Sequence, residues 1–208
     1  MKLDIKVTGP IDVNTYILKD EETKEAVLID VGGSFESIKK ELDDQGYTIK
    51  YILNTHGHFD HVLGETEIPE KYPELPIYLH KDDNFHLGRL KREMGYFGLK
   101  TESNPLVIKD FIDENTDLEI GNHKIKIFHT PGHSQGSLSY YTDGKLFSGD
   151  ALFFRSIGRT DFDDGDYDTL INSIKTKLLT LPDETIVYPG HGPSTTIKDE
   201  RNYNTYLK

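Results

Sequence analysis

The chain has 208 residues, with 24 Lys and Arg against 36 Asp and Glu, a formal net charge of −12. That balance repels nucleic-acid phosphate and anionic membrane surfaces, and no run of Lys or Arg offsets it, so neither is expected as a partner. With no cysteine, a disulfide framework, thiolate metal ligands and a cysteine nucleophile are excluded, and any metal must sit on His and carboxylate.

The length suits one sizeable core, and no Pro/Gly/Ser-rich linker divides the sequence, so a single domain over residues 1–208 is expected. "MKLDIKVTGP" alternates charged and apolar residues where a signal peptide carries a continuous apolar stretch. No later segment approaches the length of a membrane span. A soluble, cytoplasmic protein is the expectation.

Residues 2–7, 13–18 and 26–30 read as short strands in an antiparallel meander, punctuated by Gly9-Pro10 and by "KDEETKE". Ser34 is placed to cap a helix in which Ile38 and Leu42 share a face, with Gly46 to end it. "IKYIL" reads as a buried strand that runs into "NTHGHFDH". "LPIYLH" is a further strand, followed by a helix-compatible segment from Lys81 to about Lys91 and the less regular "MGYFGLKTESNPL". Residues 81–105 are where a lid or substrate-facing insertion is expected. From Lys124 strand signals return as "KIKIF", "SLSYY", "KLF" and "TIVY", interrupted by a helix whose Leu170, Ile171, Ile174, Leu178 and Leu181 form an apolar stripe for the core. "TTIKDERNYNTYLK" suffices for one terminal helix. Strands and helices mixed in this order imply an α/β layered domain.

Four of these strands end in a Gly-containing turn that presents His or Asp: "YILNTHGHFDH", "KIFHTPGHS", "KLFSGD" and "TIVYPGHG". A rigid sheet fixes such ends, so side chains distant in sequence can converge there. The candidate metal ligands are His56, His58, Asp60, His61, His133, Asp150 and His191. Imidazole and carboxylate suit Zn, Fe or Mn. One tetrahedral zinc takes about four ligands, whereas two metals sharing a carboxylate and a water about 3.5–4 Å apart use the whole set. His80, His86, His123 and His129 fall outside the pattern and read as ordinary polar histidines, His129 as a structural group beside Thr130. Gly132-His133-Ser134-Gln135-Gly136 matches the G-x-S-x-G nucleophile elbow, which needs a strand, a sharp turn and a helix. "SLSYYTDGKLF" instead reads as a hairpin turning at Asp143-Gly144, so Ser134 is read as a turn residue.

"THGHFDH" fits the motif T-H-x-H-x-D-H, and with His133, Asp150 and His191 in order the sequence resembles the metallo-β-lactamase fold superfamily over essentially its whole length. "LIDVGG", "PGHSQGS", "SGDALF" and "PGHG" make it most similar to the glyoxalase II-like branch, the hydroxyacylglutathione hydrolases. It resembles a short form of them, ending 17 residues after His191 where the full-length enzymes continue into a helical C-terminal domain. The resemblance implies a four-layered αββα sandwich with the site at one edge between the sheets. It implies His56, His58 and His133 on a first metal, Asp60, His61 and His191 on a second, Asp150 bridging, and Asp30 in support. The implied cofactors are two divalent metal ions, zinc foremost, with iron or manganese as substitutes.

The activity so implied is hydrolysis of a small acyl-thioester, a hydroxyacyl-glutathione or related acyl-thiol, by water activated at the metals, with Asp60 as the catalytic residue that orients it. The superfamily's flavodiiron oxidoreductases usually carry Glu at the position of His58, and class B β-lactamases carry Cys or Ser in place of Asp150 or His61. Neither redox chemistry nor antibiotic hydrolysis is therefore expected. Arg159 keeps the base that follows the bridging Asp in glyoxalase II and is the substrate-binding candidate, able to pair with a substrate carboxylate or with an acid of "DFDDGD". Arg155 has the weaker claim. Asp161 stands where that branch has a glutathione-holding tyrosine, which loosens the tie to glutathione. The alternatives are a persulfide dioxygenase with a single iron, against which the complete second ligand set stands, another hydrolase such as a lactonase, a nuclease, disfavoured by the acidity, and a non-catalytic metal-dependent module. Sequence alone leaves open the metal, the acyl group, the thiol, the role of residues 81–105 and the oligomeric state.

Overall fold

The computed structural model describes residues 1–99, 106–108 and 110–208. One sheet runs in the order β1 (Lys2–Thr8), β2 (Val13–Lys19), β3 (Glu25–Ile29), β4 (Thr48–Leu53), β5 (Ile77–Leu79) and β6 (Asp110–Phe111), antiparallel up to β3 and parallel beyond it. The first three strands are the expected meander, each within a residue of its predicted ends. The second sheet begins with β7 (Leu118–Ile120), β8 (His123–His129), β9 (Leu138–Thr142) and β10 (Lys145–Gly149), all antiparallel. The short hairpin of β11 (Leu152–Phe153) and β12 (Ser156–Ile157) follows. The second sheet is then completed by β13 (Ile186–Pro189), parallel to β10, and β14 (Thr195–Thr196) at its edge. The β9–β10 turn lies at Asp143-Gly144, both with positive φ of 46° and 72°, as a tight hairpin requires.

The helices are α1 (Phe35–Asp44), α2 (Phe59–Val62), α3 (Ile68–Lys71), α4 (Asn84–Leu87), α5 (Leu90–Tyr96), α6 (Tyr167–Ser173) and α7 (Ile197–Tyr203). Strand alternation assigns side chains to three packed layers. On β2 to β4, Ile17, Leu28 and Ile52 face the helix side with Ile38 and Leu42 of α1. Their neighbours Leu18, Val27, Ile29 and Leu53 face the other sheet and meet Ile127, Leu138, Tyr140 and Phe147. On the far side of the second sheet, Phe128, Leu146 and Val187 pack on Leu170, Ile174, Leu178 and Ile197. The three interlayers make a four-layered αββα sandwich. Each large buried side chain contributes about 1.5–3 kcal/mol, so a one-residue slip that exchanged the faces of a strand is strongly disfavoured.

Three local expectations are corrected. Ser34 precedes α1 but caps nothing with its side chain, because its φ of 61° turns the hydroxyl away from N–H groups that a capping residue reaches from extended backbone. Capping is instead done by Asp166 for α6 and Thr196 for α7. The predicted helix from Lys81 to about Lys91 is a 3₁₀ turn, Lys81–Asp83, followed by α4 and by α5, which continues to Tyr96. The break near Gly88 lets Leu87, Leu90 and Met94 all enter the core. The apolar stripe after α6 continues as a π-helical turn, Ile174–Leu178, wider than an α-helix predicts. Of the expected insertion at 81–105, residues 100–105 lie outside the described residues. Among the described residues no helix is long and apolar enough to cross a membrane.

Candidate metal centre

Strand ends build the site. β4 runs through Asn54 and Thr55 to His56, and the chain then turns into α2, which carries Asp60 and His61, with His58 directly ahead of it. The β8–β9 turn presents His133, β10 ends just before Asp150, and β13 ends just before Gly190-His191. Because β10 and β13 are parallel neighbours their ends lie together, Gly190 N donating to Gly149 O at 2.8 Å. Bonds between the sheets hold the edges in register. Leu138 N donates to Thr55 O at 2.7 Å, and the Asn14 amide of β2 donates to Pro189 O at 3.0 Å and Gly192 O at 2.9 Å.

All seven sequence candidates converge. Donor atoms of His56, His58 and His133 lie within 4.8 Å of one another, with His58 Nδ1 and His133 Nε2 facing at 3.0 Å. A second group joins Asp60 Oδ2 to His191 Nε2 at 3.0 Å and to His61 Nε2 at 3.4 Å. Asp150 stands between them, with Oδ1 at 3.4 Å from His61 Nε2 and Oδ2 at 3.6 Å from His133 Nε2 and 3.9 Å from His191 Nε2.

Three inward atoms, His56 Nε2, His61 Nε2 and Asp150 Oδ1, are buried without a hydrogen-bond partner among the described residues. Each orphan of that kind costs about 1–3 kcal/mol, and three on one spot form a cradle suited to a cation. The electrostatics agree. Burial and the facing histidines push His56 far below its ordinary value and His58 down to about 3, leaving neutral imidazoles. His61 is raised: burial opposes its charge, but Asp60, Asp30 and Asp150 outweigh it. Burial likewise opposes the charges of Asp60 and Asp150, and His61 holds both below the usual carboxylate range. Neutral imidazoles beside a carboxylate-rich half fit two divalent cations.

Outer partners orient the ring nitrogens. His61 Nδ1 donates to Asp30 Oδ2 at 2.9 Å, and Asp30 also accepts from the Thr55 N–H and hydroxyl, both at 2.7 Å. Asp30 thus has the supporting place expected of it. His133 Nδ1 donates to Arg159 O at 2.8 Å and His191 Nδ1 to Asp12 O at 3.2 Å, which points each Nε2 inward. Gly190 leaves the room Asp150 needs, since a Cβ there would overlap Asp150 Oδ1 and stand 2.7 Å from His61 Cε1.

Two residues outside the sequence candidates are part of the frame: Asp83, which the sequence reading did not single out, and His86, which it read as an ordinary polar histidine. Asp83, fully buried, accepts from Gly57 N at 2.8 Å, Gly136 N at 2.5 Å and Ser134 Oγ at 2.7 Å, so one carboxylate joins the His56–His58 loop to the His133 turn. His86 lies between Glu93 Oε1 and Asp164 Oδ2, each at 3.1 Å, with its ring 4.5 Å from that of His58. Burial lowers its basicity, but these two carboxylates raise it to about 9. The available signal was "LHKDDNFH", another strand end rich in His and Asp.

Ser134 is buried with its hydroxyl on Asp83, and its turn joins strand to strand, so the elbow geometry is absent. A cleft of about 830 Å³ opens above His58, Asp60, His133, Asp150 and His191. Arg159 lines it while its guanidinium donates to both oxygens of Asp161, at 2.8 and 2.9 Å. Arg155 instead lies 4.4 Å over the Tyr203 ring, against α7.

Comparison with known proteins identifies the family. The family model described as the metallo-beta-lactamase superfamily matches residues 8–191. Over 203 residues the chain is 38% identical to a probable metallo-hydrolase, YqgX, of Bacillus subtilis, covering 96% of this chain and 94% of that one. Over 209 residues it is 35% identical to the hydroxyacylglutathione hydrolase GloC of Haemophilus influenzae, covering 100% and 98%. Among solved structures, the BLEG-1 B3 metallo-beta-lactamase superposes with a TM-score of 0.84 at 38% identity, covering 99% of both chains. TTHA1623 in a di-iron-bound form gives 0.84 at 34%, covering 98% and 100%. ETHE1 from Myxococcus xanthus gives 0.77 at 27%, covering 99% and 84%. The chain therefore belongs to the metallo-beta-lactamase superfamily and is a metallo-hydrolase of it.

Proposed function

We propose that His56, His58 and His133 hold one divalent ion, that Asp60, His61 and His191 hold a second, that Asp150 bridges them, and that the protein hydrolyses small acyl-thioesters. The observation that carries the reading is the convergence of seven residues with N and O donors, three of those atoms orphaned, five of the residues lining one cleft and His56 and His61 buried beneath them. Similarity to GloC along the whole chain supports the thioester class. The ions would be zinc or, as in the di-iron neighbour, iron.

The chemistry supplied by bound cations is Lewis acidity, with water acidified to roughly pKa 7 and an acyl carbonyl polarised. The protein's own residues do the rest. Asp60, anchored through Oδ2 by His191, has a second carboxylate oxygen with which to accept a proton of the attacking water and aim its lone pair. Neutral His56 and His58 offer lone pairs without a competing proton. The departing thiolate, from a thiol of pKa about 8.5, needs no strong acid. Phe153, Phe154 and Phe162 on the cleft wall offer apolar surface beside the centre. Arg159 can exchange its exposed Asp161 partner for a substrate carboxylate, because such surface pairs have little net worth.

Metal analysis combined with a thioester panel, S-lactoylglutathione and non-glutathione thioesters, tests the reading. Two ions per chain and turnover lost on chelation are expected, and full activity in the metal-free protein would refute it. The alternative kept from the sequence resemblance is oxidation of a persulfide at a single iron. One iron per chain with oxygen uptake on a persulfide would select it. A β-lactam and a lactone belong in the same panel, the first because of the BLEG-1 neighbour.

A further inference from the structure

The cleft is lined by α5 as well as by β11 and β12. Leu90 and Met94 anchor this helix in the core, and Phe97, just past its end, meets Phe59 of α2 with ring centroids 5.2 Å apart. The ligand-bearing helix and α5 are thereby packed together. The residues that α5 and its N-cap turn into the cleft are Arg89, Arg92, Glu93 and Tyr96, spaced three and four apart on one helical face.

Charge along the cleft is unevenly committed. Glu93 and Asp164 are taken up by His86, Asp161 by Arg159, and Asp60 and Asp150 by the histidines of the centre. Of the acids lining the cleft only Asp163 is left, and among the described residues no carboxylate lies within ion-pair distance of Arg89 or Arg92. Each guanidinium has an aromatic neighbour four residues away. Arg89 lies 4.8 Å over the Phe85 ring, and Arg92 Nε donates to the Tyr96 hydroxyl at 2.9 Å. In a chain with a net charge of −12, two guanidiniums on the cleft wall that have no carboxylate within ion-pair distance among the described residues are suited to an anionic ligand. A planar guanidinium recognises carboxylate or phosphate with two parallel hydrogen bonds.

We propose that Arg89 and Arg92 form an oxyanion subsite that binds the carboxylate or phosphate of the substrate's thiol half while its acyl carbon lies over the metal centre. The substrate part of this assignment rests on the thioester reading, but the subsite can be tested without turnover. Binding of S-methylglutathione, which carries carboxylates, and of desulfo-coenzyme A, which carries phosphates, is measured by calorimetry on the metal-loaded protein. The Arg89→Ala/Arg92→Ala and Arg89→Lys/Arg92→Lys variants are measured alongside, with metal content and melting temperature verified. The expected result is that one ligand weakens by about tenfold or more in the alanine variant and recovers in part with lysine. Loss confined to S-methylglutathione identifies a carboxylate, and loss confined to desulfo-coenzyme A a phosphate. If wild type binds neither ligand at millimolar concentration, or if the alanine variant binds both as wild type does, the subsite is overturned. In a second arm, where calorimetry has identified a carboxylate, the ratio of kcat/KM for S-lactoylglutathione to that for its diethyl ester should fall by a similar factor in the alanine variant, and an unchanged ratio then refutes the assignment. A wild-type protein that turns over no thioester refutes the thioester reading alone, and the calorimetry still decides the subsite.

Discussion

Replacing Asp83 by alanine tests whether one buried carboxylate sets the distance between two ligand loops. Its three donors are Gly57 N, which lies between His56 and His58, Gly136 N, and the hydroxyl of Ser134, next to His133. Burial pushes this carboxyl upward in pKa, and the three donors pull it back. Alanine leaves two backbone N–H groups and a hydroxyl in a water-poor pocket, each having lost a bond to a charged acceptor worth about 1.5–3 kcal/mol. Ser134 can turn to Ser137, 2.7 Å away, which recovers part of the loss. A net destabilisation of about 3 kcal/mol follows, or roughly 6–12 °C in melting temperature for a chain of this size. The loops would also drift apart, so metal affinity should fall together with stability. Thermal unfolding followed by metal analysis of the purified variant measures both. An Asp83→Ala protein that melts within a degree or two of wild type and retains its full metal content would show that the carboxylate does not hold the loops. Asp83→Asn should lie between the two, because its amide keeps one acceptor but turns N–H against N–H.

Three further outcomes are expected. Gly190→Ala should fold yet bind metal less tightly and lose most activity, since its methyl would overlap Asp150 Oδ1; wild-type metal stoichiometry and rate would contradict this. Ser134→Ala should cost about 1 kcal/mol of stability and change kcat/KM by no more than about threefold, whereas a loss of about 10⁴-fold would restore the serine as nucleophile. Glu25 is held below its ordinary pKa by the Gly121 N–H, which outweighs burial, with help from Lys50. Its contribution, under about 1 kcal/mol for a pair this open, is therefore present above the unfolded carboxyl value of about 4.3 and lost as pH falls through the lower folded value. The gap in melting temperature between wild type and Glu25→Gln should therefore close as pH falls below about 4.3, and a constant gap would contradict the assignment.

The candidate ligands were legible as a set because they sit at the ends of apolar strands, where both the residue type and the local turn are written in consecutive positions. His56, His58, Asp60 and His61 share one such stretch, and His133, Asp150 and His191 each follow their own strand with a Gly beside them. The four-layered sandwich was legible for a similar reason: alternation along β2, β3 and β4 assigns each residue to one of two buried faces. Asp83 and His86 were not, because a buried carboxylate and a buried histidine look in sequence like any polar residue of a charged turn. Their roles depend on partners 53 and 78 positions away, Gly136 and Asp164. Ser34 misled in the opposite direction, since a capping residue type was present and the backbone dihedral that makes it a cap was not.

Sequence by itself therefore determined which side chains are available for metal chemistry, and absence of cysteine limited them to nitrogen and oxygen donors. It also determined the alternation that stacks two sheets between helices. Only the tertiary structure decided how those donors divide around Asp150, which acids of the cleft are already paired, and that Arg89 and Arg92 line the same cleft as the centre. Periodicity along a chain is a local property that a few consecutive residues reveal. Convergence and pairing are set by the packing of elements far apart in sequence, and a charge has a free hand only when folding has left it without a partner.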